Sequence, residues 1–251
     1  MCGFCGFTGQ VLNRDNLSRE EVLREMAAQI THRGPDSEGY YLTGEGAQDS
    51  VAMGFRRLSI IDLEGGSQPL FNEDGTLVLM FNGEIYNYRP LRDELTEKGH
   101  VFATHTDSEV LLHGFEEWGE ELLPRLRGMF AFAIWNTQEH SLFMARDYFG
   151  IKPMHYSLLP DGRLLWASEI KCLLRHPDFV KEFNEKALDG YLSFQYSVPR
   201  ETFFKNVVCL RPAHCLWYRD GRVEERRYWE PAFHPDEEMT LEQAVEEIDR
   251  V

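Results

Sequence analysis

The sequence predicts a layered α/β sandwich, and three observations carry that expectation. Met129 to Trp135 is apolar at every position. In a strand, Met129, Ala131, Ala133 and Trp135 face one side, and Phe130, Phe132 and Ile134 the other. A strand apolar on both faces has to be covered on both, here by helices on one side and a second sheet on the other. Strand-like and helix-like segments also follow one another along the chain with no internal repeat and no low-complexity tract. Finally, 251 residues with 43% hydrophobic and 27% charged side chains suffice for one large folded core, or one core with an appendage.

The elements follow in order. Residues 2–8 form a short apolar run, a strand candidate at the start of the chain. Ser18-Arg19-Glu20-Glu21 is a capping box, and Val22, Leu23, Met26, Ala27 and Ile30 come after it at helical spacing. The helix ends into Thr31-His32-Arg33-Gly34-Pro35-Asp36, where Gly and Pro enforce a turn. Strands are predicted near 39–43, 51–56 and 77–81. Helices are predicted over Arg89 to Lys98 and Ser108 to Trp118, the second with Val110, Leu111, Phe115 and Trp118 on one face. Four strand-like segments come next: Met129 to Trp135, Ser141 to Ala145, Pro153 to Leu158 and Arg163 to Ala167. A short helix over 185–194 precedes further strands in 203–229, around Asp220-Gly221. After Pro231 the composition turns polar and acidic, as in a linker. Thr240-Leu241-Glu242-Gln243 then opens a helix with about three turns before Val251. The expected division is a domain over 1–230, then a linker and the start of a helix over 231–251 that leads to a further domain.

Charge and composition exclude several function classes. A formal net charge of −16 leaves no basic stripe to displace counterions from nucleic acid, and it disfavours an anionic membrane surface. No apolar run approaches the ~20 residues that cross a bilayer, and Met1-Cys2-Gly3-Phe4-Cys5-Gly6 lacks the basic leader of a signal peptide. A cytoplasmic chain is expected. The five cysteines (2, 5, 172, 209 and 215) are an odd number in a chain too large to need disulfide staples, so free thiols are the simplest account.

Cys2 is the leading candidate for chemistry. A side chain this small after Met1 permits removal of the initiator, which leaves Cys2 with a free α-amine. That amine has a reference pKa of about 7.7–8.0 against about 8.5 for the thiol, so it can take the thiol proton near neutral pH, directly or through one water. From position alone, a plain strand cysteine competes with this reading. Cys2-x-x-Cys5 also suggests metal or redox chemistry, but no second pair completes a zinc site, and two strand positions three apart point to opposite faces. Arg56-Arg57 closes a strand and offers guanidinium groups for a carboxylate, or merely a surface ion pair. Asn82-Gly83-Glu84 follows the apolar run Leu77 to Phe81. Asn-Gly is ordinarily a turn, yet an Asn amide beside a Gly backbone N–H also makes an oxyanion hole. Asp107 either belongs to the N-cap region of the next helix or pairs with a ligand ammonium.

In their order, Cys2-Gly3-Phe4-Cys5-Gly6, His32-Arg33-Gly34-Pro35-Asp36, Arg57-Leu58-Ser59-Ile60, Gln68-Pro69-Leu70, Phe81-Asn82-Gly83-Glu84-Ile85-Tyr86-Asn87, Thr106-Asp107-Ser108-Glu109, Gly128-Met129-Phe130-Ala131-Phe132, Arg146-Asp147-Tyr148-Phe149-Gly150-Ile151-Lys152-Pro153 and Ala167-Ser168-Glu169-Ile170-Lys171 resemble the glutaminase domain of glutamine-hydrolysing asparagine synthetases. The resemblance covers nearly the whole chain. It implies the α+β fold of the class II amidotransferases, a four-layer αββα sandwich of the N-terminal-nucleophile hydrolase type.

The same resemblance implies the roles. Cys2 is the nucleophile that forms a γ-glutamyl thioester from L-glutamine, and its α-amine is the base. Asn82 and Gly83 are the oxyanion hole. Arg57 holds the substrate α-carboxylate with backbone around Ile60 and Ile61, while Glu84 and Asp107 hold the α-ammonium. No cofactor or metal is implied for this segment. ATP and Mg belong to a covalently linked synthetase domain whose phosphate loop does not occur here, and homodimerisation is left open. Cys5 and His105 depart from the commoner residues of relatives, the first as a packing change and the second beside Asp107. Rival readings are the glutaminase domain of another class II amidotransferase, such as glucosamine-6-phosphate synthase or amidophosphoribosyltransferase, and a glutamine-binding relic without turnover.

Overall fold

The computed structural model describes residues 2–13, 17–44, 50–59, 66–196, 200–233, 235 and 238–250. Along the chain run β1 (Gly3–Thr8), α1 (Arg19–Ala28), β2 (Ser37–Leu42), β3 (Val51–Arg57), β4 (Leu70–Phe71), β5 (Leu77–Ile85), α2 (Tyr88–Glu97) and α3 (Glu109–Trp118). After a 3₁₀ segment, Gly119–Arg125, come β6 (Gly128–Asn136), β7 (Ser141–Arg146), β8 (His155–Leu158), β9 (Leu164–Ala167), α4 (Ile170–Leu173), α5 (Glu185–Phe194), β10 (Val208–Cys209), β11 (His214–Arg219), β12 (Arg222–Arg227) and α6 (Leu241–Arg250).

The strands form two six-stranded sheets, in the orders β10-β8-β9-β1-β3-β2 and β12-β11-β7-β6-β5-β4. Every described pairing is antiparallel. Three apolar layers bind them. Between the sheets, Phe4, Met53, Phe55 and Trp166 meet Val78, Met80, Ala131, Ala133, Trp135 and Met144. Outside the first sheet, Val22, Leu23, Met26 and Ala27 of α1 cover Cys5, Phe7, Ala52 and Leu165. Outside the second, Leu91 and Leu95 of α2 and Val110, Leu111 and Phe115 of α3 cover Leu79, Phe81, Phe130, Phe132 and Ile134. The fold is therefore an αββα sandwich. The two faces of β6 are divided as its sequence predicts: Ala131, Ala133 and Trp135 between the sheets, Phe130, Phe132 and Ile134 under the helices.

Local signals hold at most of the elements. Ser18 accepts the Glu21 N–H while the Glu21 carboxylate accepts the Ser18 N–H, completing the capping box of α1. Cys2 and Cys5 lie on opposite sides of the first sheet, and all five cysteines are free thiols. No helix among the described residues is long and apolar enough to cross a membrane.

Of the two readings of Asn82-Gly83 the turn falls away, and the strand expected near 77–81 is longer. Asn82-Gly83 makes no turn; β5 continues through both to Ile85, with Asn82 opposite Ala131 and Gly83 opposite Phe130. Pairing along the whole of β6 overrides the local turn preference. Glycine is needed at 83 for room, because a Cβ there would lie 2.3 Å from the Met129 carbonyl oxygen and 2.7 Å from the Phe81 ring.

Replacing Ser18 by Ala removes one arm of the capping box on an exposed helix end. The expected cost is about 1 kcal/mol, a fall of roughly 2–4 °C in Tm for a chain of this size, checked by thermal unfolding monitored by circular dichroism.

Candidate functional site

One end of the sandwich opens between the sheets where β1 begins and β3 and β5 end. The cavity there is about 280 Å³. That is just below the ~300–1,000 Å³ usual for drug-sized ligands, and suits a single amino acid. Strand alternation places its lining. Cys2 shares the parity of Phe4, and Arg57 that of Met53 and Phe55, so both face the gap from the first sheet. Asn82 and Glu84 share the parity of Val78 and Met80 and face it from the second. Asp107 joins them from the loop ahead of α3. Cys2, Arg57, Asn82, Gly83, Glu84 and Asp107 thus line one cleft. Ile60 and Ile61 lie outside the described residues.

The Cys2 sulfur is held in place by its neighbours. It receives the Leu58 N–H at 3.3 Å, and its own S–H is directed to the Leu58 carbonyl at 3.5 Å. Burial pushes the thiol up from its ordinary range, with the Leu58 N–H and the Arg57 cation opposing. The thiol is therefore protonated near neutral pH and needs a base to become a nucleophile. The Cys2 carbonyl accepts from Arg33 Nε at 2.9 Å, and Arg33 is held in turn by Glu169 at 3.0 Å.

Asn82 is 1% exposed, and its amide nitrogen has no hydrogen-bond partner among the described residues. A buried donor in that state costs free energy unless a ligand oxygen receives it. Gly83, directly after it, carries a backbone N–H beside the same cleft.

The charged groups divide by sign. The Arg57 side chain packs so closely on Gly66 that a Cβ at 66 would lie 2.5 Å from Arg57 Nη2; any side chain there would displace the guanidinium. Asp107 accepts the Ile85 N–H at 2.7 Å. Burial, reinforced by the nearby Glu84 carboxylate and opposed by that N–H, raises Asp107 to about 6. Glu84 is also raised by burial, with the Lys152 ammonium acting against it. Arg57 is described as the clamp for a carboxylate only by resemblance; its geometry adds a cation at the gap opposite two carboxylates.

Several contributors escaped the sequence reading. Arg33 and Asp36, read as part of a turn and of one motif but given no role, fasten the start of β1 and the segment after β3: Asp36 accepts the Ser59 N–H at 2.8 Å. Gln68 bonds Phe81 in both directions, at 3.0 and 2.6 Å, and lines the cleft. Lys152 enters the cleft from a loop organised by Asp147, whose carboxylate accepts the N–H groups of Phe130, Phe149, Ile151 and Lys152. The signal available in the sequence was the Arg-Asp-x-Phe-Gly run itself. His105, the departure beside Asp107, is exposed and leaves the Asp107 bond to Ile85 in place.

Known proteins agree with this architecture. Among curated proteins, asparagine synthetase [glutamine-hydrolyzing] 1 of Bacillus subtilis is 43% identical over 236 residues, covering 94% of this chain and 36% of that protein. The second such synthetase of the same organism is 42% identical over 221 residues, 86% of this chain and 28% of its own length. The chain spans about a third of the length of these relatives. Among solved structures, the glutamine phosphoribosylpyrophosphate amidotransferase of B. subtilis superposes with a TM-score of 0.62 at 18% identity, covering 91% of this chain and 50% of that one. An allosteric regulatory enzyme of purine biosynthesis gives 0.61 at 19%, with 91% and 49% covered. At such identities these two speak for the fold alone. The family described as "Glutamine amidotransferase domain" matches residues 1–229, a span that takes in both sheets and the whole cleft, and the chain belongs to it.

Proposed function

We propose that the cleft hydrolyses L-glutamine to glutamate and ammonia through a γ-glutamyl thioester on Cys2. The observation that carries this reading is the Cys2 thiol at the edge of an amino-acid-sized cleft that also holds the buried, unpartnered amide of Asn82. Glutamine is a zwitterion with a neutral amide at its far end. A cation, an anion and neutral donors in one cleft are its complement: Arg57 for the α-carboxylate, Asp107 and Glu84 for the α-ammonium, Asn82 Nδ2 and the Gly83 N–H for the reacting oxygen.

The chemistry runs in two halves. With Met1 removed, the Cys2 α-amine takes the thiol proton as sulfur attacks the side-chain carbonyl carbon of glutamine. The negative charge on oxygen is received by Asn82 and Gly83. The ammonium then gives its proton to the leaving nitrogen, the C–N bond breaks, and ammonia departs. A water molecule, deprotonated by the same amine, attacks the thioester; the C–S bond breaks, glutamate leaves, and the thiol recovers its proton. No step asks for a metal or cofactor.

In the longer protein suggested by the relatives' names and lengths, the ammonia serves ATP-dependent conversion of aspartate to asparagine. Residues 1–230 are then the glutaminase domain, and 231–251 lead into the synthetase domain, where ATP and Mg bind. Such an enzyme is cytoplasmic.

Ammonia and glutamate release from glutamine should be present in the Met1-free chain and fall to background in Cys2→Ala. A form whose intact mass retains Met1 should be equally inactive; full activity with Met1 in place would refute the amine base. Glutamine binding to Cys2→Ala should weaken about tenfold between pH 7 and pH 5, because Asp107 protonates at about 6 and loses its attraction for the ammonium. Calorimetry should show this pH dependence vanish in Cys2→Ala/Asp107→Asn, with weak binding at both pH values. Gly66→Ala should raise KM for glutamine about tenfold with Tm little changed, since the end of the Arg57 side chain has to move and the Thr106 methyl, 3.2 Å from the new Cβ, has only to give slightly.

A further inference from the structure

A second cluster of chemistry lies under the helices of the second sheet, away from the cleft. Glu73 in the β4–β5 turn, His100 after α2, and His113 and Glu116 on α3 bring four donor atoms within 4.8 Å of one another. His113 Nδ1 is 3.3 Å from Glu73 Oε2 and 4.0 Å from Glu116 Oε2. His100 Nδ1 is 3.7 Å from Glu73 Oε1 and 3.9 Å from Glu116 Oε2.

The geometry points to a binding site for one divalent d-block cation of the zinc class at Glu73, His100, His113 and Glu116. Three features support it beyond proximity. His113 is 1% exposed, and neither ring nitrogen makes a hydrogen bond of normal geometry among the described residues. A buried imidazole in that state needs another partner. Next, both rings are backed in the same way. His113 Nε2 faces Glu109 Oε1 at 3.5 Å, and His100 Nε2 faces Glu117 Oε2 at 3.6 Å. A carboxylate behind Nε2 favours the proton there and leaves the Nδ1 lone pair for a metal, the usual outer arrangement of a metal-binding histidine. Last, Glu109 is fixed independently. The N–H groups of Ala103 and Thr104 and the Thr104 hydroxyl donate to its carboxylate at 2.7, 2.8 and 2.6 Å.

Donors around a tetrahedral zinc stand roughly 3.3–3.6 Å apart, given bonds of about 2.0–2.2 Å. The separations here need to close by a few tenths of an ångström to about 1 Å, within reach of the half-exposed Glu73 and Glu116. Two imidazoles with two carboxylates suit zinc, cobalt or nickel; calcium and magnesium prefer all-oxygen shells. The two carboxylates would balance a dication. Such an ion would join the β4–β5 turn, the segment after α2 and α3, adding to the Val101 N–H that Glu73 Oε1 accepts at 3.0 Å and to the packing of Phe102 on His113.

The test uses the Cys2→Ala chain, so that the reactive thiol cannot supply a ligand, after stripping with a chelator. Zn²⁺ is titrated by calorimetry and Co²⁺ by visible absorption. Expected are one equivalent bound, a rise in Tm, and a Co²⁺ spectrum of nitrogen and oxygen ligation. His100→Gln and Glu116→Gln, outside the buried core and checked for an unchanged metal-free Tm, should each weaken binding at least tenfold. Absence of saturable binding, unchanged affinity in both variants, or a Co²⁺ spectrum dominated by thiolate charge transfer would each overturn the assignment.

Discussion

The cleft depends on the register of β1. This strand is paired on both sides, with β3 through Gly3 to Thr8 and with β9 through Cys5 to Phe7. Beyond the ladder, Ser168 continues the edge: its hydroxyl accepts the Phe4 N–H, and its own N–H donates to the Phe4 carbonyl. A slip of one residue would turn Cys2 toward the helical layer and Cys5 toward the gap. The slip is prevented by what the two faces bury, Phe4 between the sheets and Phe7 under α1, and by Arg33 on the Cys2 carbonyl. The position of the thiol is thus set by packing well away from it.

The opposite wall obeys the same rule with a different device. β5 carries Asn82 and Glu84 inward because the strand does not stop at the Asn-Gly pair, and it does not stop because β6 pairs with it through Ile85. Burial raises both carboxylates, Glu84 and Asp107, and Glu84 raises Asp107 further, with Lys152 and Arg57 nearby. The cleft holds both signs of charge on largely buried side chains. That arrangement is costly when vacant of countercharge and favourable to a ligand that brings its own ammonium and carboxylate.

Much of this was legible in the sequence where a signal is local or periodic. The double apolar face of Met129 to Trp135 announced both the helical layer and the second sheet. The Ser18 capping box placed α1, and strand parity separated Cys2 from Cys5. The cleft residues were legible through motif order, since Cys2, Arg57, Asn82, Gly83, Glu84 and Asp107 are scattered over a hundred positions and only the fold assembles them. What stayed hidden is set by distant partners. Asn82-Gly83 reads as a turn until β6 is placed beside it. The two-residue strand β4 carries too little pattern to detect. Arg33, Gln68 and Lys152 look like ordinary loop residues until their bonds to Cys2, Phe81 and the Asp147 loop are known.

The central place of β1 also has a consequence for biosynthesis. Its sequence is made before either neighbour, β3 or β9, and β9 ends at Ala167. At about 5–20 residues per second, synthesis of the intervening chain takes on the order of 10–30 s. During that interval β1 has no complete sheet to join, and the face that will lie between the two sheets stays uncovered. Long-range pairing, usually counted as a kinetic burden, therefore postpones closure of the cleft until most of the chain has been made.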